Sequence, residues 1–199
     1  PPAPAVELLL DKDAFYDWAL TQGLPVPETR RADPVELATA LQGGGGPYIL
    51  KPPCREDGWT AASPDVKAWV LRTTADLAAV PDAVWALPET PLVQDWIAGP
   101  DSAITFCLVA YGRDGRLLAW QTGRKLVQWP RGTGSTAVCE TTQDPELLAL
   151  TRTVFERVGL RGLGSLEVKR DSRSGELLLV EPTVGRLDLQ SGRAELGGQ

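Results

Sequence analysis

Two carboxylates near the C-terminal end carry the first sign of chemistry. Glu167 stands in Leu166-Glu-Val-Lys-Arg, and Glu181 ends the run Leu177-Leu-Leu-Val-Glu just before Pro182. Between the runs lies Ser-Arg-Ser-Gly at 172–175, a turn signal, so the runs are expected to pair antiparallel with both acids on one face. Two neighbouring carboxylates without a neutralising partner repel, and a divalent cation held by their oxygens removes the conflict. The alternative is a pair of rim acids facing water, offset by Arg170 or Arg186. Lys51 follows Tyr48-Ile-Leu and precedes two prolines, so an apolar strand delivers one ammonium. It suits a phosphate, or it guards a sheet edge. Asp101 follows Gly99-Pro100 at a chain reversal, where a carboxylate can accept ribose hydroxyls or simply complete a turn.

Composition narrows the chemistry. The chain of 199 residues is 43% hydrophobic and 23% charged, enough apolar material for one domain or two small lobes. No window approaches the roughly 18 apolar residues of a membrane span, and no signal peptide opens the chain. Net charge is −6 without a basic run, so nucleic acid is not an expected partner. Cys54, Cys107 and Cys139 are dispersed, giving neither a disulfide framework nor a zinc set, and a reducing cytoplasm is the expected compartment. There is no histidine, which excludes Ser-His-Asp and Cys-His hydrolysis and histidine-bound zinc within this chain. A metal here must be a hard ion on oxygen, such as Mg²⁺. Of twenty basic residues only five are lysines, at 12, 51, 67, 125 and 169; an ammonium in an arginine-rich chain marks a position worth testing.

The elements that must position these groups read as follows. Residues 1–6 form a frayed start. Helices are expected from Asp11 to Gly23, from Pro34 to Gly43, over 74–87 with a break at Pro81, and over 145–160. Strands are expected at 48–51, 67–72, 92–97, 102–111, 116–129, 166–171 and 177–181, with 54–64 a mobile loop and 131–137 a Gly/Thr/Ser loop. The order predicts an α+β chain with antiparallel sheets and helices on one side.

Taken together, these residues resemble the ATP-grasp superfamily of carboxylate–amine ligases, from about Leu8 onward. Asp11-Lys12 heading a helix that ends Gly-Leu-Pro-Val-Pro looks like the start of an ATP-grasp domain, and Tyr-Ile-Leu-Lys51-Pro like the family's strand lysine before its flap. Gln94-Asp95-Trp96-Ile97-Ala98-Gly99-Pro100-Asp101 resembles the interlobe hinge of D-alanine–D-alanine ligases. Leu166-Glu167-Val-Lys and Val180-Glu181-Pro-Thr-Val-Gly-Arg186 resemble the two metal-binding acid motifs.

The resemblance implies two lobes, 1–92 bearing the flap and 93–199 bearing the metal hairpin, with the nucleotide between them. It implies that Lys12 and Lys51 contact ATP phosphates and that Lys125 meets the γ-phosphate. The backbone of Asp95, Trp96 and Ile97, next to Gln94, would bind adenine from a free strand edge, and Asp101 would take the ribose. Glu167 and Glu181, with Thr183, would hold Mg²⁺, and Arg186 would face the acyl phosphate or the acceptor carboxylate. The family usually places asparagine where Thr183 stands, and a neutral hydroxyl is a weaker ligand. The expected activity is ATP-dependent joining of a small-molecule carboxylate to an amine. The rivals are a kinase-like nucleotide-binding module and a non-catalytic domain with a decayed site. The family's N-terminal substrate domain finds no room before Leu8, so it is expected to be absent, another chain or outside this sequence; that missing domain or a homo-oligomer is the expected partner.

Overall fold

A computed structural model describes residues 1–53, 57–129 and 131–185. The chain divides into two compact units, Val26–Ile97 and Pro1–Pro25 joined with the chain from Ala98 onward. This differs from the expected division at 92/93 because the first 25 residues pack with the C-terminal sheet.

The unit Val26–Ile97 is built on β1 (Thr29–Arg31), β2 (Tyr48–Lys51), β3 (Trp69–Leu71) and β4 (Leu92–Asp95), in the order β1-β4-β2-β3, every pair antiparallel. Helices α3 (Pro34–Gln42), α4 (Asp57–Ala62), α5 (Thr74–Ala78) and α6 (Asp82–Trp85) accompany it. Asp33 caps α3 by accepting from the amides of Val35 and Glu36, with Pro34 at the first helical position, as its sequence predicts. The break expected at Pro81 separates α5 from α6. Leu37, Leu50, Trp59, Leu71 and Val93 belong to one apolar core. The segment expected as a mobile loop contains α4, whose Trp59 is buried and donates its indole N–H to Val66 O at 2.8 Å. Cys54 lies outside the described residues.

The other unit holds α1 (Ala3–Leu10), α2 (Lys12–Thr21), α7 (Pro145–Val158) and five antiparallel strands: β5 (Ile104–Tyr111), β6 (Leu117–Trp129), β7 (Ser135–Thr142), β8 (Gly162–Arg170) and β9 (Leu177–Val184). Their order is β7-β6-β5-β8-β9. The start expected to fray is helical because Ala5 and Leu9 are buried, and proline is tolerated in a first helical turn. β7 replaces part of the expected Gly/Thr/Ser loop, since Thr136, Val138, Thr141 and Thr142 favour a strand paired with β6. The strongest helix, α7, is capped by Asp144 and ends at Gly159, whose φ of 74° suits glycine. It covers the sheet face that carries Leu166 and Val168. Gly164 on that face lets it approach, for a Cβ there would lie 2.7 Å from Leu160 and 3.2 Å from Phe155. Strand alternation then assigns Ser165, Glu167 and Lys169 to the opposite face.

Candidate functional site

Glu167 and Glu181 are register partners on β8 and β9. Regular pairing outward from Arg170↔Leu177 would set Leu166 against Glu181 and aim Glu181 at the α7 side. A β-bulge prevents this: Val168 pairs Leu179 but Glu167 pairs Glu181, leaving Val180 extra. The burial pattern shows the same shift, with Leu177 and Leu179 buried before the bulge and Pro182 and Val184 after it. Glu181 and Thr183 therefore join Glu167 on the face away from α7. Tyr16 of α2 donates its hydroxyl to the carbonyl of Val180, fastening the bulge. The strand expected over 177–181 runs on through Pro182 to Val184. Proline is admissible on an edge strand, which β9 is.

Each acid has a cationic partner, so the expected uncompensated repulsion is not what the fold contains. Lys125 Nζ donates to Glu167 Oε2 at 2.8 Å, and Lys12 Nζ lies 3.1 Å from Glu181 Oε1. Lys12 is one helical turn before Tyr16, so one face of α2 addresses both Glu181 and the bulge. The lysine bias has a structural counterpart here. Among the described residues, the buried charged side chains are Lys51, Lys125, Lys169 and Asp171, and no arginine is among them.

The donor set suits a hard divalent ion shared with a ligand. Two opposed carboxylates, with Thr183 two residues beyond Glu181, match the one or two protein carboxylates that Mg²⁺ takes alongside phosphate and water. Among the described residues no group of three or more acids or cysteines forms an all-protein metal cage.

Asp101 sits in a 3-10 turn, Asp101–Ala103, and its Oδ1 accepts from Gln128 Nε2 at 2.8 Å. The buried Gln128 was not anticipated, because its reach to Asp101 crosses from β6 to a distant turn. In sequence Lys169 stands out only as one of five lysines; its alternation with Glu167 on β8 is the signal that places it on the same face. Burial lowers the Lys169 pKa, against which Asp101 and Asp171 act to raise it. Asp171 accepts from Arg173 through side chain and backbone and from the Ala98 amide at 3.3 Å, while the Ser172 amide donates to Ala98 O at 3.1 Å. The Arg173 bonds hold the Asp171 carboxyl well below the usual carboxylate range, partly opposed by burial. A depressed folded-state pKa stabilises fully above the unfolded value near ~4 and loses that stabilisation as pH falls through the folded value. Asp171→Asn is therefore expected to destabilise the protein by about 1–3 kcal/mol at pH 7. Paired urea titrations should show the gap between variant and parent shrinking below pH ~4.

In the unit Val26–Ile97, Lys51 ends an interior strand and is not an edge lysine. Its Nζ donates to Gln94 Oε1 at 2.9 Å, and Gln94 Nε2 donates to Thr29 Oγ1 at 2.7 Å. Gln94 thus links Lys51 to Thr29. The free strand edge expected at 95–97 is absent, because β4 lies between β1 and β2. The Asp95 amide donates to Glu28 O at 2.9 Å and the Trp96 amide to Pro47 O at 3.0 Å. Trp96 also has the Arg72 guanidinium 6.0 Å from its ring centroid. Arg186 lies outside the described residues.

No protein-family model matches the chain, and no curated protein matches it in sequence. Solved structures do. Biotin carboxylase from Campylobacter jejuni, as a beta-gamma-ATP complex, matches with a TM-score of 0.74 and 18% identity over 98% of this chain and 44% of its own. N5-carboxyaminoimidazole synthase from Aspergillus clavatus, with ADP and 5-aminoimidazole ribonucleotide, gives 0.66 and 14% over 92% and 46%. A RimK domain ATP-grasp protein from Sphaerobacter thermophilus gives 0.64 and 22% over 98% and 67%. The chain has the ATP-grasp fold. This ATP-grasp chain spans about half the length of the first two structures. At such identities the likeness establishes the fold, and what its residues do is argued from their geometry.

Proposed function

We propose that this ATP-grasp chain belongs to an ATP- and Mg²⁺-dependent ligase that joins a small-molecule carboxylate to an amine through an acyl phosphate. The observation that carries the reading is the opposed pair Glu167 and Glu181, each holding a lysine, on one sheet face of this fold. In the first step a substrate carboxylate oxygen attacks the γ-phosphorus and the bond to the ADP oxygen breaks. The amine nitrogen then attacks the acyl carbon, phosphate leaves with the bonding pair, and a proton passes from nitrogen to solvent. Bound to the acid pair, Mg²⁺ supplies charge neutralisation on phosphate oxygens. Lys12 and Lys125, beside the acid pair, are assigned to the remaining phosphate charge, and Lys51, in the other unit, keeps its phosphate assignment through the resemblance; such charges favour a transition state with spread negative charge. Asp101, one oxygen held by Gln128, is assigned the ribose. Arg186 keeps its assignment to the acyl phosphate or acceptor carboxylate through the resemblance alone.

A substrate domain or second copy that completes recognition belongs to the same proposal, supported by matched structures about twice as long. So does a reducing cytoplasm, supported by the free Cys107 and Cys139; no helix among the described residues is long and apolar enough to cross a membrane. The test is a screen of carboxylates with amines for ADP release. ADP that appears only when both are present supports ligation, and phosphorylation of one substrate without an amine supports the kinase-like rival.

A further inference from the structure

On the reading proposed above, the two ion pairs stand where a metal and a polyphosphate would exchange charge. Glu167 and Glu181 face each other, Lys125 and Lys12 hold one acid each, and the four formal charges cancel. A divalent cation added alone to this quartet leaves excess positive charge beside two ammoniums. A polyphosphate alone leaves excess negative charge beside two carboxylates. Bound together, the cation and the polyphosphate attract and partly neutralise each other, with each lysine turned from carboxylate to phosphate and each carboxylate from lysine to metal.

Two details favour an exchange over a static structural pair. Lys12 is the first residue of α2, and a cation at a helix N-terminus opposes the helix dipole, so its place there is not explained by the helix. Lys125 has a side chain only 5% exposed, so a metal that displaced it from Glu167 without offering another anion would strand a buried ammonium. We propose that Lys12 and Lys125 are stand-in cations that hold the acid pair ready and reject a metal arriving alone, so that divalent metal and nucleotide bind cooperatively. This rests on the nucleotide-dependent reading above and adds the order in which its site fills.

The test is titration with Mn²⁺, free ion followed by electron paramagnetic resonance, with and without a non-hydrolysable ATP analogue. The parent chain, Lys12→Met and Lys12→Arg are compared, Lys12 being chosen because it is less buried than Lys125. Lys12→Met is expected to bind Mn²⁺ alone about tenfold more tightly than the parent, since one repelling charge is gone. Its gain in Mn²⁺ affinity on adding the analogue is expected to shrink by a similar factor, while Lys12→Arg stays close to the parent. A Lys12→Met chain with metal-only affinity equal to or below the parent's overturns the proposal, even where the parent binds Mn²⁺ with the analogue and the nucleotide reading stands. A parent that takes up Mn²⁺ in neither condition overturns both.

Discussion

Glu167→Gln is expected to lower the rate of carboxylate- and amine-dependent ADP release by roughly 10²–10³-fold in kcat/KM, equivalent to about 3–4 kcal/mol of transition-state stabilisation. The substitution keeps shape and one carbonyl acceptor but removes the charge that faces both Lys125 and the expected metal. Lys125 is then a nearly buried ammonium whose counter-ion has become a neutral amide, which should destabilise the free chain by about 1–3 kcal/mol. Thermal melts separate the two effects. The parent should gain stability when Mg²⁺ and a non-hydrolysable nucleotide are added, because ligand binds only the folded state. The variant should show a lower starting melt and little gain. A variant that melts lower but gains as much as the parent would assign Glu167 to folding alone.

Lys51→Met should separate binding from stability. The side chain is buried at 8% exposure, and the Gln94 side chain donates onward to Thr29 and accepts from Lys51. Methionine fills similar volume without an ammonium to desolvate, which offsets the loss of the donor to Gln94 Oε1, so stability should change little. Affinity for the ATP analogue should fall by roughly 10–100-fold, the loss expected for one charged phosphate contact. A lysine kept for folding would show the reverse, with stability falling and affinity unchanged. Calorimetric titration and a denaturant curve on the same preparation decide between them.

Much of the fold was legible because its signals are local. Asp33-Pro34, Asp144 and Gly159 punctuate helices through capping and positive φ, and 172–175 marks the last hairpin. The acid pair was legible in outcome but not in mechanism. Regular pairing from the turn would put Glu181 against Leu166, and only the bulge at Val180 brings it opposite Glu167. Nothing in Leu-Leu-Leu-Val-Glu announces a bulge; it is fastened by Tyr16, far away in sequence. The same distance hid the Lys12–Glu181 and Gln128–Asp101 contacts, which depend on how elements pack and not on their own periodicity. The hinge strand misled for a related reason, since an edge strand and an interior strand read alike until β1 is known to pair with β4. The start of β7 reads as loop because Gly132, Gly134 and Ser135 signal a turn, and that signal masks the strand preference of the threonines and Val138 that follow.

The central claim is that this chain binds a metal–nucleotide complex, and isothermal titration of the intact protein with a non-hydrolysable ATP analogue tests it most directly. The account predicts saturable binding at one site per chain in the presence of Mg²⁺, weakened at least about tenfold when the metal is withheld. A folded chain that gives no binding heat at several temperatures, or that binds the analogue equally with and without Mg²⁺, would contradict it.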